Sequence, residues 1–89
     1  MFREIEGKIC KHFDVTLDML VEKNCFGQAS LARNYLWYIL HCDCNMSINT
    51  IAKEYDRTPR RVKRVVSKTK YLVTTQRLYK EHYDKIVAK

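Results

Sequence analysis

Glycine and proline are nearly missing from this chain, with two of the first and one of the second in 89 residues. Hairpins and tight strand turns depend on such residues, so their scarcity argues against a sheet fold and for helices joined by short polar loops. No apolar run is long enough to cross a bilayer. The opening residues, "MFREIEGKICKHF", are charged early and lack the apolar stretch and small-residue cleavage site of a secretory leader. A soluble, intracellular chain is expected. Gly-rich phosphate loops of the form G-x-x-x-x-G-K-[ST] are absent, and His12, His41 and His82 are scattered with no nucleophile at useful spacing. Neither an enzyme nor a cofactor is expected. Acidic residues, finally, are missing from Arg57 to Lys70.

What is present suffices for one domain. Hydrophobic residues make up 46% of the chain, enough for a compact core, and the 30% charged fraction is too low for a disordered one. The net charge of +7 is uneven. Residues 1–56 hold six Lys/Arg against eight Asp/Glu, a balance of −2, whereas residues 57–89 hold eleven against two, a balance of +9. Cationic charge gathered in one third of a chain points to a polyanionic partner.

Four cysteines, Cys10, Cys25, Cys42 and Cys44, are read as reduced in an intracellular chain. "HCDC" at His41–Cys44 raises zinc, with Cys25, His12 or His82 as further ligands. Its C-x-C spacing and the lack of a second paired cluster argue against a metal, and none is expected. Cys10 and Cys42 fall on apolar helix faces, where a thiol behaves as a small hydrophobe.

Apolar periodicity lays out the helices. Phe2, Ile5, Ile9 and Phe13 mark one over 2–13. Thr16 caps a short helix with Leu17, Leu20 and Val21 turned inward. "NCFGQ" is a loop in which Gly27 is free to take a positive φ. A central helix opens at Gln28 or Ser30, with Leu31, Tyr35, Leu36, Ile39 and Cys42 as its core stripe and Trp37 and Tyr38 packed at its flanks. Ser47 caps a helix carrying Ile48, Ile51, Ala52 and Tyr55; Asp56 turns the chain through the left-handed region. Thr58 then caps a second helix with Pro59 at its first position. Two helices separated by so tight a turn are a helix-turn-helix, over about 47–72. A last helix, about 75–88, starts at Thr74 or Thr75 with Leu78, Tyr79, His82 and Ile86 on one side. It either packs on the bundle or protrudes for self-association. The expected fold is all-α, a bundle of five to six helices.

The segment "RTPRRVKRVVSKTK" combines both features. Seven of its fourteen residues are Arg or Lys. At about 100° per residue, Val62, Val65, Val66, Thr69 and Leu72 gather on one side, leaving Arg60, Lys63, Arg64, Ser67 and Tyr71 opposite and Arg61 and Lys68 at the border. Valines that dock inward leave arginines facing out from the N-terminal half, where a recognition helix (59–72) meets base edges in a major groove. The guanidinium fork pairs with guanine O6 and N7 or with phosphate. Arg57, Arg61, Lys68 and Lys70 are the candidate phosphate contacts, and Thr58 brings the helix N-terminus to the same surface. The expected partner is double-stranded DNA. A solvated face without partner is disfavoured because seven cations with no interleaved carboxylate repel one another. A membrane-surface helix is disfavoured because the valines are needed for the core. RNA binding and a protein-interaction module using the C-terminal helix, with a partner or a second copy, are the alternatives.

These segments resemble the C-terminal DNA-binding domain of the bacterial chromosomal replication initiator (DnaA) family over roughly residues 5–85. "ICKHFDVTLDMLVEK" is similar to that family's first helix and following "V-S-V-x-D-L-L-S-K"; "ARNYLWYIL" to "A-R-Q-x-A-M-Y-L"; "MSINTIAKEY" to "L-S-L-P-E-I-G-R-x-F"; and Arg57 and Val62 fall on the Arg and Val of "G-R-D-H-T-T-V". The resemblance implies a Trp-repressor-like helical bundle whose helix-turn-helix binds duplex DNA. It also implies a replication or transcription role in the cytoplasm of bacteria, their phages or mobile elements. Thr58, Pro59, Arg60 and Arg61 stand in place of the family's "D-H-T-T", the turn is one residue shorter, and Gly27 stands where the family carries a minor-groove arginine. A different sequence preference is therefore implied.

Overall fold

The computed structural model describes residues 2–22 and 27–87, and within them the chain forms six helices and no strand. They are α1 (Phe2–Phe13), α2 (Leu17–Val21), α3 (Gln28–Cys42), α4 (Ile48–Glu54), α5 (Pro59–Thr75) and α6 (Arg77–Val87). The fold is an all-α bundle. Three helices begin at hydroxyl caps: Thr16 Oγ1 accepts the Met19 N–H at 3.1 Å, Ser47 Oγ that of Thr50 at 3.1 Å, and Thr58 Oγ1 that of Arg61 at 3.3 Å. Each satisfies an amide that the first helical turn leaves without an internal partner. Asp14, Asn45 and Asp56 turn the chain between helices with φ of 55°, 58° and 54°, the left-handed region that short polar side chains tolerate. Gly27 takes φ 63° ahead of α3; the rest of the "NCFGQ" loop, residues 23–26 with Cys25, lies outside the described residues.

Two helices form the axis of the bundle. α3 packs against α1, α2, α4 and α5, and α5 against α3, α4 and α6, with α6 returning to α1. Because α3 has neighbours on every side, its burial is not confined to a stripe. Tyr35, Leu36, Trp37, Ile39 and Leu40 are all fully buried, and Tyr38 nearly so. Leu31 is only half-buried and Cys42 is exposed, against the sequence expectation, because they sit at the two ends of the helix where neighbours run out. Ile9, Phe13, Leu20, Ile51, Val62, Val66, Val73 and Ile86 complete the core. Burying each such side chain contributes about 1.5–3 kcal/mol.

α2 departs further from its expected orientation. Only Leu20 is buried; Leu17 and Val21 are 48% and 38% exposed. A five-residue helix lying on the surface presents one position to the core, and Leu20 takes it. α6 is also shorter than expected. Thr74 and Thr75 do not cap it; they belong to the last turn of α5, their hydroxyls donate back to the carbonyls of Lys70 and Tyr71, and α6 begins at Arg77 after the extended Gln76. Leu78, grouped by periodicity with Tyr79, His82 and Ile86, is 70% exposed, whereas Ile86 is buried and Tyr79 and His82 are half-buried.

α6 packs on the bundle. His12 Nε2 and His82 Nδ1 share a hydrogen bond of 2.9 Å, Tyr35 Oη donates to the Tyr79 carbonyl at 2.8 Å, and Tyr83 Oη donates to Asp43 Oδ2 at 2.7 Å. On the opposite side Tyr55 Oη donates to the buried Glu6 carboxylate at 2.6 Å, joining α4 to α1. Burial pushes the phenols of Tyr35, Tyr38, Tyr55 and Tyr83 above their ordinary range, assisted at Tyr55 by Glu6 and at Tyr83 by Asp43. These groups stay protonated in the fold after an unfolded chain would ionise them near pH ~10. Their stabilisation is therefore present below that pH and is lost as pH rises. Thermal melts at increasing pH should hold steady to about 10 and then fall steeply; a melting temperature flat to pH ~11 would contradict this placement of the tyrosines.

Candidate nucleic-acid interface

Four residues, Tyr55 to Thr58, carry the chain from α4 into α5. The turn is closed by the Arg57 N–H, which donates to the Ala52 carbonyl at 2.8 Å, and by the Tyr55 N–H to Ile51 at 3.1 Å. Ala52, almost fully buried, lets the two helices approach. Thr58 takes the extended backbone (φ −75°, ψ 144°) required of a cap and of a residue before proline, and Pro59 starts the helix.

α5 has 17 residues and so is about 25 Å long. That is nearly the whole 29 Å longest extent of the molecule. Its buried line is Val62, Val66, Thr69 and Val73, spaced as i, i+4, i+7 and i+11. Val65 and Leu72, expected on that side with Val62, Val66 and Thr69, are half-buried, since they lie about 70° and about 90° round the helix from the line. The inward face is thus turned slightly from the expected one, and Val65 borders an open hollow lined also by Thr58, Arg60, Arg61 and Arg64.

Every other candidate on the helix faces solvent. Thr58, Arg60, Arg61, Lys63, Arg64, Ser67, Lys68 and Lys70 are exposed. None of the six cations among them is paired with a carboxylate of the described residues, and α6, which packs along α5, leaves this face open. Arg57 is different. Its Nη1 donates to the carbonyls of Tyr55 (2.6 Å) and Asp56 (3.3 Å), and its Nη2 to that of Val21 at 3.0 Å. It clamps the turn to the end of α2, leaving Nε and one Nη2 hydrogen for an outside ligand. Sequence reasoning had no signal for this, because the Val21 carbonyl lies 36 residues away.

Arg33 was also missed. It is buried on α3, with its guanidinium carbon 5.0 Å from the centre of the Trp37 ring and Nη2 donating to Asn34 Oδ1 at 3.3 Å. A cation inside an apolar helix gives no periodic signature; stacking on an indole makes it tolerable. The groups considered for zinc are dispersed. His41 Nδ1 bonds the Met46 carbonyl at 2.8 Å, His12 and His82 engage each other, and Cys10, Cys42 and Cys44 are free thiols. Among the described residues no three His, Cys, Asp or Glu side chains are placed to hold a metal ion, and no helix is long and apolar enough to cross a membrane. No protein-family profile and no curated protein matches the chain.

Proposed function

We propose that this protein is a non-enzymatic module that binds double-stranded DNA, with the outward face of α5 lying in the major groove. The observation that carries the reading is the row of six exposed cations, Arg60, Arg61, Lys63, Arg64, Lys68 and Lys70, on a helix whose other face is anchored by Val62 and Val66. Helical arginines near a capped N-terminus are suited to base edges, and the flanking lysines to phosphates. Ser67 lies on the same arc and can bond either. Arg57 acts first as a positioning residue that fixes α5 against α2, with its remaining hydrogens directed to phosphate. The resemblance to the DnaA C-terminal domain supports the same docking mode and a role in replication initiation or transcription control in a bacterial or phage setting. The altered "T-P-R-R" segment supports a sequence preference of its own.

Counterion release tests the reading. If about six phosphates are neutralised, log affinity for duplex should fall against log salt with a slope near −5. A slope near zero, or a preference for structured RNA over duplex at the same salt, would overturn it.

A further inference from the structure

Two further surface regions, the second bordering the candidate interface at Lys70, expose apolar side chains within a net excess of charge, and the two excesses are opposite in sign. The first is α2 and its flanks. Leu17, Met19 and Val21 are 48%, 45% and 38% exposed. Asp14, Asp18 and Glu22, all exposed, surround them with no Lys or Arg in that segment. Leu17 lines two hollows together with Arg3 and Glu6. One is bounded also by Val21, Glu54, Tyr55, Asp56 and Arg57, the other by Gly7, Cys10 and Val15, and carboxylates outnumber the two arginines around them. Gly7 sits in the interior of α1, where glycine costs about 1 kcal/mol relative to alanine. A Cβ added there would meet nothing within 4 Å, so the chain's own packing does not require it. Its effect is to leave backbone bare at the edge of the hollow, where an entering side chain can come close.

The second region is the corner between α5 and α6. Tyr71 and Leu78 are 64% and 70% exposed, and Leu78 is the most exposed large apolar side chain among the described residues. Lys70, Arg77 and Lys80 surround them, and the carboxylate beside them, Glu81, pairs with Arg77 at 3.5 Å and leaves the corner net positive.

We propose that copies of this chain associate head to tail, the α2 surface of one receiving the α5–α6 corner of the next. Leu78 supplies the apolar insert beside Leu17 and Val21, with Arg77 and Lys80 meeting Asp18 and Glu22. Charge decides the pairing. Either region set against itself in a two-fold dimer would juxtapose a net excess of like charge, whereas the two excesses are complementary to each other. A contact between two different surfaces leaves one of each unused at the ends and therefore propagates. The association does not depend on nucleic acid.

The test is sedimentation equilibrium of the purified, reduced chain without DNA at low salt, from micromolar to millimolar concentration. The mass-average molecular weight should rise with concentration and pass the dimer value. Asp18→Lys and Lys80→Glu should each shift association to at least about tenfold higher concentration. An equimolar mixture of the two variants should regain association past the dimer, since the unaltered surfaces pair with each other and the two exchanged charges are again opposite in sign. The double variant, with both charges exchanged, should regain association. Leu78→Ala, at an exposed position, provides an apolar arm in case a charge variant fails to fold, and should weaken association likewise. A wild-type chain that stays monomeric throughout, association unaffected by all these changes, or loss caused instead by Arg64→Glu on the outer face of α5 would each overturn the proposal.

Discussion

Arg60→Glu combined with Arg64→Glu should lower duplex affinity at least about a hundredfold while leaving helicity unchanged. Arg60 and Arg64 are four apart on the exposed arc of α5 and touch no carboxylate among the described residues. Their replacement removes two fork-shaped donors from the proposed groove and sets two negative charges against the phosphates. Folding is spared for the same geometric reason. Exposed substitutions away from packing usually change stability by less than about 0.5 kcal/mol. The new carboxylate at position 64 faces Lys68 four residues on, and the one at position 60 lies in the first helical turn, so a small gain is the more natural outcome. Fluorescence anisotropy on a random-sequence duplex, paired with circular dichroism, separates the two effects. Wild-type affinity in the double variant would move the site off α5.

Val62→Asp should produce the reverse pattern. Val62 is fully buried between α5 and the rest of the bundle, and a carboxylate there has no partner. Leaving it charged in apolar surroundings, or neutralising it, costs several kcal/mol. A penalty of about 4 kcal/mol lowers the melting temperature of a domain this size by roughly 15–30 °C. For a domain of ordinary stability that is a large part of the whole. Thermal melting checks it; a variant that melts within a few degrees of wild type would show that α5 does not dock through this residue. The two experiments assign opposite consequences to two faces of one helix, two residues apart in sequence at Arg60 and Val62.

The sequence is informative where one feature acts locally. Thr16, Ser47 and Thr58 are caps, Pro59 is the first residue of α5, and Asp56 turns through positive φ, all as their side-chain chemistry predicts. The charge division of α5 is legible because a partly wet helix has one periodic apolar line. α3 follows the same reasoning only in part. Tyr35, Leu36 and Ile39 of its stripe are fully buried as expected. A helix with neighbours on most sides also buries Trp37, Tyr38 and Leu40 beside the stripe, while Leu31 and Cys42 at its ends are not buried. α2 is too short for periodicity to fix its orientation, which is why Leu17 and Val21 were expected inside and lie outside. Thr74 and Thr75 carry the residue type of a cap but bond backward into α5. Contacts across long separations, such as Arg57 to Val21 and Tyr55 to Glu6, are invisible to any local pattern. In the candidate site, the cations could be read from charge, but the clamp role of Arg57 could not.

The most direct measurement is chemical-shift mapping of the isotope-labelled protein titrated with a short duplex. The amide signals of Thr58, Arg60, Arg61, Arg64 and Ser67 and the guanidinium signals of the three arginines should move together and in proportion to bound DNA, with α1 and α2 nearly silent. Signals that stay in place along α5, or that shift mainly in α1 and α2, would contradict it.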